Sequence, residues 1–341
     1  MRRTYVLPVV LLLVCLFGGG IWLTNSDKPV MAISPASAAE NDEDLLAALR
    51  EGCANAVSSI RSGSGHATTY FWTKRGDGGV LETEARNDLK FEGDRFLLRE
   101  AVEYLTNDPA PDRESSEAPP PTMRNTISMR NTTSSYDLEK VTILSQYDSL
   151  PARATICDPT LGEGRNQLNL YKVFAGVVGH GVGYLVPRPE DLPPFIELTS
   201  AKIVGRETIN GDECIVVDVV TTVHLPEKDT VTATVRRWVN IDKGYTIVRT
   251  RTWHEGNVYS AKTLISEANT TVRQYGDGVW GPDTFTSQDY NLEGEVRHKL
   301  VITYDPDFKL NVPVSDSELS FTLPSGTKVD NELIDAQYTV P

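Results

Sequence analysis

The sequence has little of what metal sites and common catalytic motifs require. It contains four cysteines and five histidines in 341 residues, and no two cysteines show C-x-x-C spacing. A zinc site or a thioredoxin-like motif is therefore not supported. The G-x-S-x-G elbow, the H-E-x-x-H helix and the P-loop are absent as well. We therefore expect no catalytic residue, no bound metal and no cofactor, and hence a protein that is not an enzyme.

Long basic runs are also missing. The chain has 33 Lys and Arg against 47 Asp and Glu, which gives a net charge of −14. Nucleic acid is therefore not an expected partner, because phosphate binding needs clustered cations. The hydrophobic share of 40% is sufficient for a sizeable apolar core and argues against disorder throughout.

The N-terminus has the pattern of an export signal. Arg2 and Arg3 precede an apolar stretch over Tyr5–Leu23, and small residues follow at 36–39. This predicts a signal peptide over residues 1–39 and a periplasmic or other extracytoplasmic location. The apolar stretch has 19 residues, close to the length that crosses a bilayer, so retention as an inner-membrane anchor is the alternative.

Cys53, Cys157 and Cys214 lie beyond the signal. One disulfide with one thiol, or three buried thiols, are both compatible with an exported chain.

The remainder begins with a helix and continues mainly as strands. Apolar residues at helical spacing predict a helix over 41–61. Strict alternation over 67–73 and 81–91 predicts a hairpin around the glycines at 76–79, and a third strand follows over 95–105. Shorter strands are predicted at 126–128 and 140–144.

Two segments interrupt the strands. Residues 108–122 hold five prolines among acids and serines, which predicts a solvated insertion. Residues 162–184 predict a helix followed by a glycine-rich turn.

From 201 to 304 the chain predicts an antiparallel meander with turns at Gly211, Gly244 and Gly256. About ten strands in one sheet would curl towards a barrel. The fold class expected is mainly β with a few helices, and the region 40–341 is expected to form one domain.

Three segments resemble the LolA-like family of envelope lipoprotein carriers. They are the early helix running into a strand at Ile60–Trp72, the Trp238–Asp242 segment with Gly244, and the Phe-x-x-Pro-x-Gly-x-x-Val-Asp pattern over Phe321–Asp330. The resemblance covers most of residues 41–333. It implies an open, curved antiparallel half-barrel lidded by α-helices that holds acyl chains without chemistry. The carriers place an Arg-Pro pair near the lid, and in this chain Arg86 stands at that position, followed by Asn87.

Several residues lie on the more apolar face of their strands. Core packing and the lining of a ligand cavity are both compatible with that pattern. As ligand contacts the resemblance suggests Phe71, Leu89, Phe91, Leu98, Val235, Val239 and Phe285, with Arg86 as a lid contact. Trp238 and Trp280 are predicted to be edge or turn anchors.

The leading functional hypothesis is non-enzymatic binding of lipid or lipoprotein acyl chains in a bacterial envelope. The alternative is a membrane-tethered regulatory or structural module that binds an envelope membrane protein. A released protein can shuttle cargo, whereas a tethered one can only sense or hold it, so the fate of the N-terminus discriminates between them.

Overall fold

The structure is a computed structural model that describes residues 42–74, 79–106, 125–147, 150–159, 196–224, 230–256, 259–276 and 278–341. The predicted export signal, the proline-rich insertion at 108–122 and the predicted helix within 162–184 lie outside these residues. Among the residues described, no helix is long and apolar enough to span a membrane.

The described residues form mainly strands. One α-helix, α1, spans Asp42–Ser58, and a short 3-10 helix spans Asp316–Glu318. The strands in chain order are β1 (Ser62–Lys74), β2 (Val80–Glu92), β3 (Arg95–Thr106), β4 (Asn125–Tyr136), β5 (Val141–Tyr147), β6 (Arg153–Cys157), β7 (Ile196–Ile209), β8 (Asp212–His224), β9 (Thr230–Asn240), β10 (Thr246–Gly256), β11 (Tyr259–Gln274), β12 (Trp280–Tyr290), β13 (Val296–Tyr304), β14 (Lys309–Leu310), β15 (Lys328–Asn331) and β16 (Ala336–Thr339).

The chain divides into two compact units. Of the described residues, the first combines those within 42–60 and 196–282, and the second combines those within 61–159 and 283–341. The organisation of 40–341 as one domain stays a prediction.

The first unit contains α1 and the strands β7 to β11. These strands follow one another in space as they do in the sequence. Three acids in the first turn of α1 favour its start through the helix dipole.

One face of α1 closes the core of this unit. Leu46, Leu49 and Cys53 recur at helical spacing and pack against Val217 and Val239 of the sheet. The predicted helix is thus confirmed, and burial of its apolar stripe stabilises it.

The second unit contains the other strands, with β12 from Asp283 onward, and the 3-10 helix, while Trp280–Pro282 at the start of β12 belong to the first unit. Its strands are arranged in the order β16-β15-β6-β5-β4-β3-β2-β1-β13-β12, and β14 pairs with β1. The long strands β1, β2 and β3 lie side by side in the middle of this order, and consecutive pairs among them run antiparallel.

Two features of the predicted sheet were wrong. The described residues form sixteen strands where about ten were expected, because short strands such as β6, β15 and β16 have too few residues to show a period. The pairing is also not purely antiparallel, since β15 runs parallel to β6 with Val329 opposite Ala154. The C-terminal pattern over Phe321–Asp330 ends in β15.

The predicted turns of the meander are confirmed. Gly211, Gly244 and Gly256 have φ of +91°, +71° and +100°, a region that favours glycine. A Cβ on Gly244 would lie 3.0 Å from Cδ1 of Trp280, whereas one on Gly211 would meet nothing within 4 Å. Trp280, the first residue of β12, therefore lies beside the turn at Gly244.

We expect Gly244→Ala to lower the free energy of unfolding more than Gly211→Ala does. Both substitutions force a side chain into the left-handed region, which costs roughly 1–2 kcal/mol, and only the first also displaces the Trp280 ring. Urea denaturation of the two variants measures the difference. Equal midpoints would contradict the contact between the turn and Trp280.

Candidate functional site

The residues predicted to contact a ligand are divided between the two units. Phe71, Leu89, Phe91, Leu98 and Phe285 belong to the second unit, whereas Val235 and Val239 belong to the first. Six of the seven are buried and Phe71 is half-buried. Burial agrees with a cavity wall and with a packed core alike, so their role stays a prediction.

Val239 lies under the helix of its own unit. It is fully buried in the cluster that contains Leu46, Leu49 and Cys53 of α1. Val235 is opposite Val219 in the sheet and is also buried. Val239 is therefore part of the core beneath α1.

In the second unit, apolar side chains form rows across the strands. Directly opposed residues of antiparallel strands share a face of the sheet. Leu89 of β2 is opposite Leu98 of β3, and Phe91 is opposite Phe96. All four have relative exposures of 0–1%. We call this side of the sheet the apolar face.

The apolar face extends over neighbouring strands in both directions. The register places Val141 and Ile143 of β5 on it, and Ile302 of β13 with Phe285 of β12. Phe308 covers one end, because its backbone passes so close to β1 that a Cβ on Gly65 would clash with its Cα. The face thus crosses seven neighbouring strands, of which β4 contributes Thr132, Ser134 and Tyr136.

Arg86 points away from this face. It is exposed and lies opposite Thr68 and Ala101, which have the other orientation in their strands. A groove of about 590 Å³ crosses the same strands, lined by 66–68, 86–88, 99–101, 131–133 and Asp305. Most of the lining side chains alternate away from the apolar face, as Arg86 does. Contact of Arg86 with a lid stays a prediction.

A polar row interrupts the apolar face, and the predicted site did not include it. Asn87 of β2 is opposite Glu100 of β3, and Glu100 is opposite Thr132 of β4. Asn87 and Thr132 have relative exposures of 1% and 3%, and Glu100 is half-buried. The row is visible in the sequence, where polar residues replace the expected apolar ones of β2 and β3.

The polar row has buried atoms whose hydrogen-bonding capacity is unused. Oδ1 of Asn87 and Oγ1 of Thr132 are buried and have no hydrogen-bond partner within the described part of the chain. Burial raises the pKa of Glu100, and the nearby charge of Arg130 partly opposes this. The arrangement can accept and donate hydrogen bonds in apolar surroundings.

The three cysteines of the described residues are free and buried. Of the two alternatives, three buried thiols is the one observed. Burial raises the pKa of Cys53 to about 12 and that of Cys214 to about 11, so both stay protonated at neutral pH. No cluster of potential metal ligands occurs in the ranges that the structure describes.

Comparison with known proteins gives a distant likeness to solved structures. No protein-family model matches the chain, and no curated protein is similar to it. Among solved structures, the chain is similar to a LolA superfamily protein from Nitrosomonas europaea, with a TM-score of 0.36 and 11% identity. The match covers 81% of this chain and 97% of that one.

Proposed function

We propose that the protein binds acyl chains of a lipid or lipoprotein on the apolar face of the second unit, without chemical conversion. The observation that carries the proposal is the width of that face. Apolar residues lie on this face in β12, β13, β1, β2, β3 and β5, and β4 between β3 and β5 contributes Thr132, Ser134 and Tyr136. Seven strands spaced by 4.7–4.9 Å extend about 29 Å, which exceeds the length of an extended sixteen-carbon chain.

The proposed compartment is extracytoplasmic. Its support is the pattern of Arg2, Arg3 and the apolar stretch Tyr5–Leu23 in the sequence. The envelope is where a carrier of acyl chains between membranes would act.

The test compares two alanines that are neighbours in the sheet but point to opposite faces. Ala85 lies on the apolar face opposite Val102, and Ala101 lies on the other face opposite Arg86. We expect the unchanged protein to bind a fluorescent fatty-acid analogue, since such a chain can lie along the apolar rows. Ala85→Phe places a large side chain on that face and should raise the Kd about tenfold, equal to about 1.4 kcal/mol. Ala101→Phe should leave the Kd unchanged.

Thermal melting of both variants accompanies the binding titration. A protein that binds no analogue, with Ala85→Phe melting far below Ala101→Phe, would identify the face as packed core and end the proposal. Equal Kd values for both variants would place the acyl chain elsewhere.

A further inference from the structure

The polar row is an unusual feature of an otherwise apolar face. On one side it is bordered by Leu89 and Leu98, and on the other by Ala85 and Val102. All four neighbours are buried. A polar group inside such surroundings is costly unless it forms hydrogen bonds.

The orientation of Asn87 is determined by its amide nitrogen. Nδ2 lies 2.8 Å from Oγ1 of Thr69, 3.2 Å from the carbonyl oxygen of Ala67 and 3.3 Å from that of Ala85. Two backbone acceptors around one atom identify it as the donor end of the amide. Oδ1 is therefore an acceptor without a donor among the described residues.

The other two members of the row add further capacity. Thr132 can donate or accept through Oγ1, which is also buried without a partner in the described chain. Glu100 lies between Asn87 and Thr132 and accepts hydrogen bonds when ionised. Each buried polar group left without a partner destabilises the folded chain, so an apolar row in this place would give a more stable protein.

We infer that this row binds a neutral hydrogen-bond donor, a hydroxyl or an amide N–H, carried by the acyl-bearing ligand. The inference rests on the proposed function and specifies which ligands suit the site. A donor from the ligand would satisfy Oδ1 of Asn87 and interact with Glu100. A free carboxylate offers no donor, and where Glu100 is ionised it would bring a second negative charge close to it.

Three ligands with the same sixteen-carbon chain test the inference on the full protein. Monopalmitoylglycerol offers hydroxyls, palmitamide offers an N–H, and palmitate offers neither. We expect at least one neutral ligand to displace the fluorescent analogue about tenfold more effectively than palmitate. Whichever neutral ligand binds more tightly identifies the source of the donor.

Two conservative variants connect the preference to the row. Thr132→Val should weaken binding of the neutral ligands about fivefold, since it removes one hydrogen bond, and should not lower the melting temperature. Glu100→Gln should tighten the binding of palmitate, because the negative charge that repels the carboxylate is lost. The controls are Thr133→Val and Glu103→Gln, which alter neighbouring residues of the opposite orientation and should leave all three affinities unchanged.

The outcomes separate the inference from the proposed function. If all three ligands bind equally and neither row variant changes any affinity, the row does not recognise the ligand, while acyl binding stands. If palmitate binds most tightly, a neutral donor is the wrong chemistry. If none of the three binds, both the inference and the proposed function are overturned.

Discussion

Trp238→Ala should lower the free energy of unfolding by about 3–5 kcal/mol, the usual cost of truncating a buried aromatic side chain. Trp238 has a relative exposure of 2% and packs with Cys214, Val216 and Val248 in one cluster. Its Nε1 donates a hydrogen bond of 2.8 Å to Glu207. The guanidinium of Arg249 lies 5.3 Å from its ring centroid.

The matched control is Trp253→Ala in the neighbouring strand. Trp253 is half-buried and lies beneath Arg236 and Lys262, whose cationic atoms are 5.7 Å and 5.2 Å from its ring centroid. Cation–π contacts at such sites contribute about 0.5–1 kcal/mol, so this truncation should cost less. Urea midpoints that are equal for both variants would contradict the core position of Trp238.

Stability should fall on acidification because of His254. Its relative exposure is 4%, and its ring contacts Tyr259 edge-on at 5.3 Å between centroids. Burial lowers its pKa to about 4 from an ordinary value of 6.5. The unfolded chain therefore binds the proton at a higher pH than the folded one. The contribution of His254 to the free energy of unfolding is complete above about pH 6.5 and is lost as the pH falls to about 4.

One pKa unit corresponds to about 1.4 kcal/mol, so the full loss is roughly 3 kcal/mol and the loss by pH 5 about 2 kcal/mol. Urea unfolding at pH 7 and pH 5 gives the loss of stability for the parent and for His254→Phe, whose side chain cannot titrate. The difference between the two losses is the effect of His254. His224→Gln is the control, because His224 is exposed. A parent and a His254→Phe variant that lose equal stability between the two pH values would contradict the effect of burial.

Periodicity in the sequence predicted the elements with strong alternation. The helix α1 and the strands β1 to β3 follow from runs in which polar and apolar residues recur at fixed spacing. Much of β4 is rich in Asn, Thr and Ser, and such a strand has no clear apolar face, so only a fragment of it was predicted. The parallel pairing of β15 with β6 joins residues about 175 positions apart, and no local pattern encodes it.

Trp238 shows how tertiary packing overrides a local pattern. Its alternation away from Val235 and Val239 predicted an edge or turn anchor, and this was wrong. The side of β9 that carries Trp238 is also covered, because Cys214, Val216 and Val248 surround the ring. Contacts between distant segments decide burial there.

The polar row could have been found in the sequence. The alternation of β2 passes from Ala85 to Asn87 and back to Leu89, and that of β3 from Leu98 to Glu100 and on to Val102. What the sequence could not show is the register that places Asn87, Glu100 and Thr132 side by side. One polar residue is only an exception to the apolar alternation of its strand. Three polar residues side by side in neighbouring strands form a polar surface.

Acyl binding on the apolar face is tested by native mass spectrometry of the protein, purified without detergent. We expect a species heavier than the chain by the mass of an acyl-bearing lipid, and loss of that species in Ala85→Phe but not in Ala101→Phe. A spectrum with the mass of the chain alone, from a protein that also fails to bind the fluorescent fatty-acid analogue, would contradict acyl binding on the apolar face.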